Sequence, residues 1–313
     1  MRRILADPAD AAWRQRGDAP RAADGVPRGQ PVLDRLVALL DLERIEDNIF
    51  RGVSHTHAHV RVFGGQVAGQ ALVAAGRTVP VERRVHSLHA YFIRAGDPRV
   101  PIVYTVDRIR DGRSFTTRRV VAIQHGEAIF VLSASFQLTE VGLEHADEMP
   151  EVPPPDQLDD WASWAQRSGE APAPITQVPR PFDLRFITPP IWARSVRRRT
   201  GPPVCDQLWM RADGVLPDDD LLHVCLLAYA SDLTLLWSVG AAHGHALGQD
   251  VMAASLDHAM WFHRPFRADD WVLCDYTSPS AVGGRGLATG RFFSRDGRLI
   301  ANVVQEGLLR LPR

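Results

Sequence analysis

The stretch LLAYASDLTLLWSV, residues 226–239, sets one carboxylate, Asp232, among leucines with a tryptophan close behind. Removing an isolated carboxylate from water is costly unless it is paired, hydrogen-bonded or protonated. Such a group serves either as a cap or arginine partner, or as a base, and from the helix alone both readings stand. Two other side chains could assist a base. Ser255 opens SLDHAMWFH, and its hydroxyl can donate and accept, so it can hold a water or a carbonyl. No GxSxG elbow surrounds it, which disfavours a nucleophilic serine of the α/β-hydrolase type. Gln305, in VVQEGLLR, lies amid apolar neighbours and needs partners for both ends of its amide. It suits a water bridge or a structural bond to a helix end. On strand alternation Ser255 and Asp257 share one face and His258 takes the other, so His258 belongs behind the site. His55, His57 and His59 in HTHAH could share a face, but no fourth ligand is apparent and no metal site is expected.

Composition narrows the chemistry. The 313 residues contain 36 basic and 37 acidic side chains, for a formal charge of -1, without the basic excess of a nucleic-acid protein. No lysine occurs, which excludes lysine Schiff-base chemistry. Cys205, Cys225 and Cys274 are odd in number and widely spaced, so neither a disulfide framework nor a CxxC metal site is expected, and a reducing cytoplasm fits. The N-terminal stretch lacks the apolar core of a signal peptide. Leu221 to Val239 approaches the length of a membrane span, but His223 and Asp232 interrupt it, and a buried helix without a membrane span is expected.

The elements that must position these groups follow one pattern, twice. Residues 1–30, rich in Ala, Arg, Asp, Gly and Pro, read as a mobile extension. From Pro31, Leu33, Leu36, Val37 and Leu40 fall at helical spacing. FGGQVAGQALVAAGRTV (63–79) reads as a helix begun through the Gly64-Gly65 turn. Four β-type segments follow, with "DG" and "HG" marking tight turns. Residues 138–183 are proline-dense and read as an inter-domain linker. The order then returns in 184–313: short strands, a helix over 221–239, and four more strands. Gln66 in the first half takes the place that Asp232 holds in the second. The pattern predicts an α+β architecture in which a long helix lies across a curved antiparallel sheet, made twice, with the two sheets paired edge to edge.

RVFGGQVAGQAL, VHSLHAYFIRAGD, YASDLTLL, SLDHAMWFHRPF and VVQEGLLR, in this order, resemble the acyl-CoA thioesterase II family over about residues 31–313. The resemblance implies a double hotdog fold, with an N-terminal hotdog over 31–137 and a C-terminal one over 184–313. It implies hydrolysis of fatty acyl-CoA to free acid and CoA without a cofactor. The family's catalytic Asp falls on Asp232, its Thr or Ser before "DH" on Ser255, and its Gln in VQEG on Gln305. Here Ser replaces the commoner Thr. The implied mechanism is attack by a water that Asp232, Ser255 and Gln305 hold and polarise. Helix-end electrostatics suggest the N–H groups at Gly64 and Gly65 as an oxyanion site. The acyl chain is expected between helix and sheet, and the CoA phosphates near surface arginines. Family habit and open sheet edges suggest a homodimer or homotetramer. Two other readings are an enoyl-CoA hydratase or dehydratase, and an acyl-CoA-binding protein without turnover. The first wants a His a few residues along the helix from Asp232, and none occurs before His243.

Overall fold

In the computed structural model, residues 20–22, 25–55, 61–168, 179–193, 206–247 and 251–311 are described. Five α-helices and thirteen strands lie among them. The helices are α1 (Gln30–Leu40), α2 (Gly64–Gly76), α3 (Trp161–Ser168), α4 (Asp220–Thr234) and α5 (Trp237–His243). The first half supplies β1 (Glu43–Glu46), β2 (Ile49–Gly52), β3 (Arg83–Phe92), β4 (Ile102–Asp111), β5 (Phe115–Gln124) and β6 (Glu127–Leu138). The second supplies β7 (Phe182–Phe186), β8 (Asp206–Ala212), β9 (Met252–Ser255), β10 (Asp257–Phe262), β11 (Val272–Val282), β12 (Arg285–Ser294) and β13 (Leu299–Arg310).

One continuous antiparallel sheet runs β1-β2-β4-β5-β6-β3-β10-β13-β12-β11-β8-β7, with β9 against β13. Its two halves have the same internal order: 2-4-5-6-3 in the first corresponds to 8-11-12-13-10 in the second. The seam is β3 against β10, from Asp257 opposite Tyr91 to Trp261 opposite Ser87. The strands alternate as half-buried strands do, and β6 places Leu132, Ala134 and Phe136 inward. The hairpin between β5 and β6 turns through His125 and Gly126 at φ 51° and 79°, the left-handed pair that a two-residue turn requires.

Inside the curve, α2 and α4 pack antiparallel. α2 is buried from Gly65 to Ala75, because helix and sheet enclose it on every side. Small residues let the helices approach: a Cβ on Gly65 would overlap the carbonyl of Tyr229, and one on Gly69 would lie 3.2 Å from that of Cys225. The 24 residues Asp220–His243 are long and apolar enough in composition to cross a membrane, and 72% of the apolar window is buried inside the fold.

Three expectations are revised. The helix over 221–239 is two, broken at Leu235-Leu236 three residues beyond Asp232. The Ser238 hydroxyl donates back to the carbonyl of Leu235, and such back-bonding bends helices. The single strand expected over MAASLDHAMWFH is likewise two, parted at Leu256. Within the 1–30 extension, residues 1–19 lie outside the described residues, but Val26 is buried and Arg28 is bound to the second half. Its guanidinium faces Asp213, Asp183 and Asp160, three carboxylates that need a counter-cation.

Residues 149–158 of the proline-dense segment lie against the second half of the sheet. Met149, Val152 and Leu158 pack on Trp209, Trp271, Leu273, Phe293 and Leu299. Trp209 Nε1 donates to the carbonyl of Pro153 at 2.9 Å.

Candidate active site

Asp232 stands in the last turn of α4. Ser255 ends β9 and Gln305 lies in the middle of β13. Helix and sheet bring the three together: Gln305 Nε2 donates to Asp232 Oδ1 at 2.6 Å, and Ser255 Oγ donates to the same oxygen at 3.2 Å. Gln305 is fully buried, whereas the residues Asp232 and Ser255 keep partial exposure.

The first half completes the surroundings. The head of α2 points at Asp232, and the Gly65 N–H is close enough to its carboxylate to lower the pKa. A Cβ on Gly64 would come 2.7 Å from Asp232 Oδ2 and 2.8 Å from the ring of Phe92. Phe63 meets Tyr229 edge to face at 5.0 Å, and Phe92 lies 5.0 Å from Phe130. Arg61 Nη2 donates to the carbonyl of Ala253, two residues before Ser255.

Burial is the dominant influence on Asp232 and raises its pKa to about 6; the donors Gln305, Ser255 and Gly65 and the charge of Arg61 oppose it. The result is a carboxylate ionised at neutral pH yet far more basic than a solvated one, as a general base should be.

His258 does not take the opposite face from Ser255. The break at Leu256 resets the alternation, and His258 points inward, with Nε2 2.9 Å from Ser231 Oγ. Asp257 instead accepts the Glu306 N–H at 2.7 Å. Gln66 is fully buried in a neutral network. Its Nε2 donates to the Val53 carbonyl and to Ser54 Oγ, while neighbouring Gln70 accepts from Tyr104 Oη at 2.7 Å. His55 is described, whereas His57 and His59 lie outside the described residues. Arginines near the first-half strands are largely engaged: Arg118 with Asp111, Arg119 with Asp107, Arg94 with Glu127 and Arg84 with Asp220.

A surface cavity of about 770 Å³ lies elsewhere, lined by Arg211, His223, Arg267 and Trp271 among others. His223 is nine residues before Asp232, about 13 Å along the helix, so this cavity is not the reaction centre.

Sequence reasoning missed the contributions of Arg61, Phe92 and Ser231. Arg61 stands three residues before Gly64, with no local signal that it reaches across to β9. Ser231 is adjacent to Asp232 within an apolar helix, where a serine ordinarily bonds its own backbone and gives no sign of reaching a histidine 27 residues on.

The fold and site now define a class: a double hotdog protein with a buried carboxylate at the junction of its helices. Residues 53–137 match the family model for the acyl-CoA thioesterase N-terminal domain, and residues 190–308 match that for acyl-CoA thioesterase. Acyl-CoA thioesterase 2 of Haemophilus influenzae is 41% identical over 288 residues, covering 89% of this chain and 98% of the relative. Acyl-coenzyme A thioesterase 8 of Homo sapiens is 38% identical over 301 residues, covering 91% and 92%. The crystal structure of acyl-CoA thioesterase II TesB2 from Mycobacterium marinum has a TM-score of 0.73 at 46% identity, covering 88% of this chain and 98% of that one. The chain belongs to the acyl-CoA thioesterase family, a family of thioester hydrolases.

Proposed function

We propose that this enzyme hydrolyses fatty acyl-CoA to free fatty acid and CoA, using a water activated by Asp232 with Ser255 and Gln305. The observation that carries this reading is the convergence of the Ser255 and Gln305 donors on Asp232 Oδ1. A water joining this group would lose its proton to Asp232 as it attacks the thioester carbonyl. The carbon–sulfur bond breaks as the tetrahedral intermediate collapses, and the proton leaves with the thiol. No acyl-enzyme is needed.

Negative charge on the carbonyl oxygen would meet the head of α2, where unpaired N–H groups concentrate partial positive charge. Gly65 already serves Asp232, so Gly64 is the donor for the oxyanion. The aromatic rings of Phe63, Phe92 and Phe130 offer the acyl chain an apolar wall beside the carboxylate.

The hydratase reading needs a second acid–base group that opens toward substrate. His258 is near, but burial depresses its pKa to about 4 and its Nε2 is taken by Ser231. Thiol release from acyl-CoAs of graded chain length, followed colorimetrically, tests the proposed activity. Asp232→Asn should lower kcat by at least about two orders of magnitude, the scale of general-base loss. Unchanged turnover would defeat the mechanism, and tight acyl-CoA binding without turnover in the unaltered protein would favour a binding role.

A further inference from the structure

The polar atoms that this mechanism leaves unused lie directly behind Gln305. His258 is 1% exposed and Ser231 wholly buried. His258 sits one step beyond the Ala259–Val304 pair of β10 and β13, which makes it the cross-strand neighbour of Gln305. Two buried atoms, His258 Nδ1 and Gln305 Oε1, have no hydrogen-bond partner among the described residues. They are chemical complements on adjacent side chains. Burial lowers the imidazole pKa, and the interaction with Gln305 opposes it, so the ring is neutral where the enzyme works.

The Gln305 amide has two orientations. With Nε2 on Asp232 Oδ1, Oε1 is the end of the amide left for the interaction with His258. The flipped amide would set Oε1 against a carboxylate oxygen, two acceptors in a buried site, which is costly. Oε1 therefore needs a donor, and His258 Nδ1 must carry the hydrogen. A neutral imidazole has only one N–H, so Nε2 is bare and accepts the Ser231 hydroxyl. The Ser231 hydroxyl also lies 3.0 Å from the Ala228 carbonyl. If it donated there, His258 would take the other tautomer and turn a lone pair on Gln305 Oε1.

We propose that His258 is a positioning residue which, as the Nδ1–H tautomer, locks the Gln305 amide with its NH₂ end toward Asp232. This rests on the roles given to Asp232 and Gln305 above. The donors run in one direction, from Ser231 to His258 to Gln305 to Asp232, and the chain begins and ends on adjacent residues of α4. Such a loop has one self-consistent proton arrangement while Asp232 is ionised.

Nitrogen-15 spectroscopy of histidine-labelled, unaltered protein reads the tautomer directly. A protonated Nδ1 with a bare Nε2 is expected for His258, and the reverse overturns the proposal. His258→Asn places an amide N–H close to where Nδ1 stood and should keep kcat within about threefold. His258→Phe should lower kcat about 10- to 100-fold, the scale of a hydrogen bond to a charged network, with KM changed less than about twofold. A His258→Phe enzyme with full kcat, or a His258→Asn enzyme as slow as it, overturns the proposal. In a Gln305→Leu background, His258→Phe should cost no more than about twofold further, since the group it positions is gone. Losses that multiply in full would give His258 a separate role and refute the proposal. Should His258→Phe fail to fold, the tautomer and His258→Asn decide. If Gln305→Leu alone keeps full activity, the water-activation reading fails, while the tautomer measurement still judges the lock independently.

Discussion

Each end of the α2–α4 pair sets an aspartate on a helix head, and the two ends do different things. Where α4 begins, Asp219 accepts the N–H groups of Leu221 and Leu222 at 2.9 and 3.1 Å and caps its own helix in solvent. Where α2 begins, Asp232 faces the Gly65 N–H, but it comes from the other helix and is enclosed by Phe92, Gly64 and Gln305. The interaction is the same and the medium is not. At the first end the carboxylate stabilises a helix. At the second, desolvation outweighs three donors and a nearby guanidinium and leaves a basic carboxylate. The set of partners does not make a base; the loss of water around them does.

Beyond Asp232→Asn, the comparison breaks most severely at Gly65. Gly65→Ala would wedge a methyl group against the Tyr229 carbonyl and force the helices apart. Thiol-release assays should show kcat lowered about 10- to 100-fold, and denaturant titration a loss of about 1–3 kcal/mol.

The pH dependence sharpens it next. With Asp232 at about 6, kcat/KM should be level above that pH and fall about tenfold per unit below it. The folded-state pKa is raised above the unfolded value of about 3.9, so the folded protein binds the extra proton. Asp232 therefore costs nothing below about pH 4, and the cost builds to at most about 3 kcal/mol as pH rises through 6. Asp232→Asn should gain stability over the parent at pH 8 and not at pH 3.5, as measured by urea unfolding.

Asp219→Ala should behave oppositely, losing about 1 kcal/mol of stability with turnover per folded molecule unchanged. The smallest effect belongs to Ser255→Thr. The hydroxyl is kept and its rotamer stiffened, so kcat should stay within about threefold; a larger loss would mean that Ser255 does more than donate.

Much of this was legible in the chain. The repeat and the paired sheets were marked by apolar periodicity and turn dipeptides; Asp232 and Gln305 stood out as a charged and an amide group in greasy runs, and Ser255 was marked by the family resemblance alone. What was hidden depends on backbone departures that no period records. His258 was assigned the wrong face because alternation was carried through Leu256, where β9 and β10 part. Gly64 and Gly65 were read as a turn, yet their smallness serves contact with a helix about 165 residues away. Arg28 lay in a stretch whose composition suggested disorder, and its anchor is a carboxylate cluster distributed over Asp160, Asp183 and Asp213. Long-range charge pairing leaves no trace in a local window.

The seam between β3 and β10 has a bearing on stoichiometry. A polypeptide made by repeating a unit would ordinarily offer its function in duplicate. Here the head of one helix and the tail of its counterpart form the proposed reaction centre at one end only, while the opposite end is closed by Asp219 and by Leu221 against Gly76. A titration with a non-hydrolysable substrate mimic should thus count one occupied centre per polypeptide, and neither hotdog in isolation would possess any.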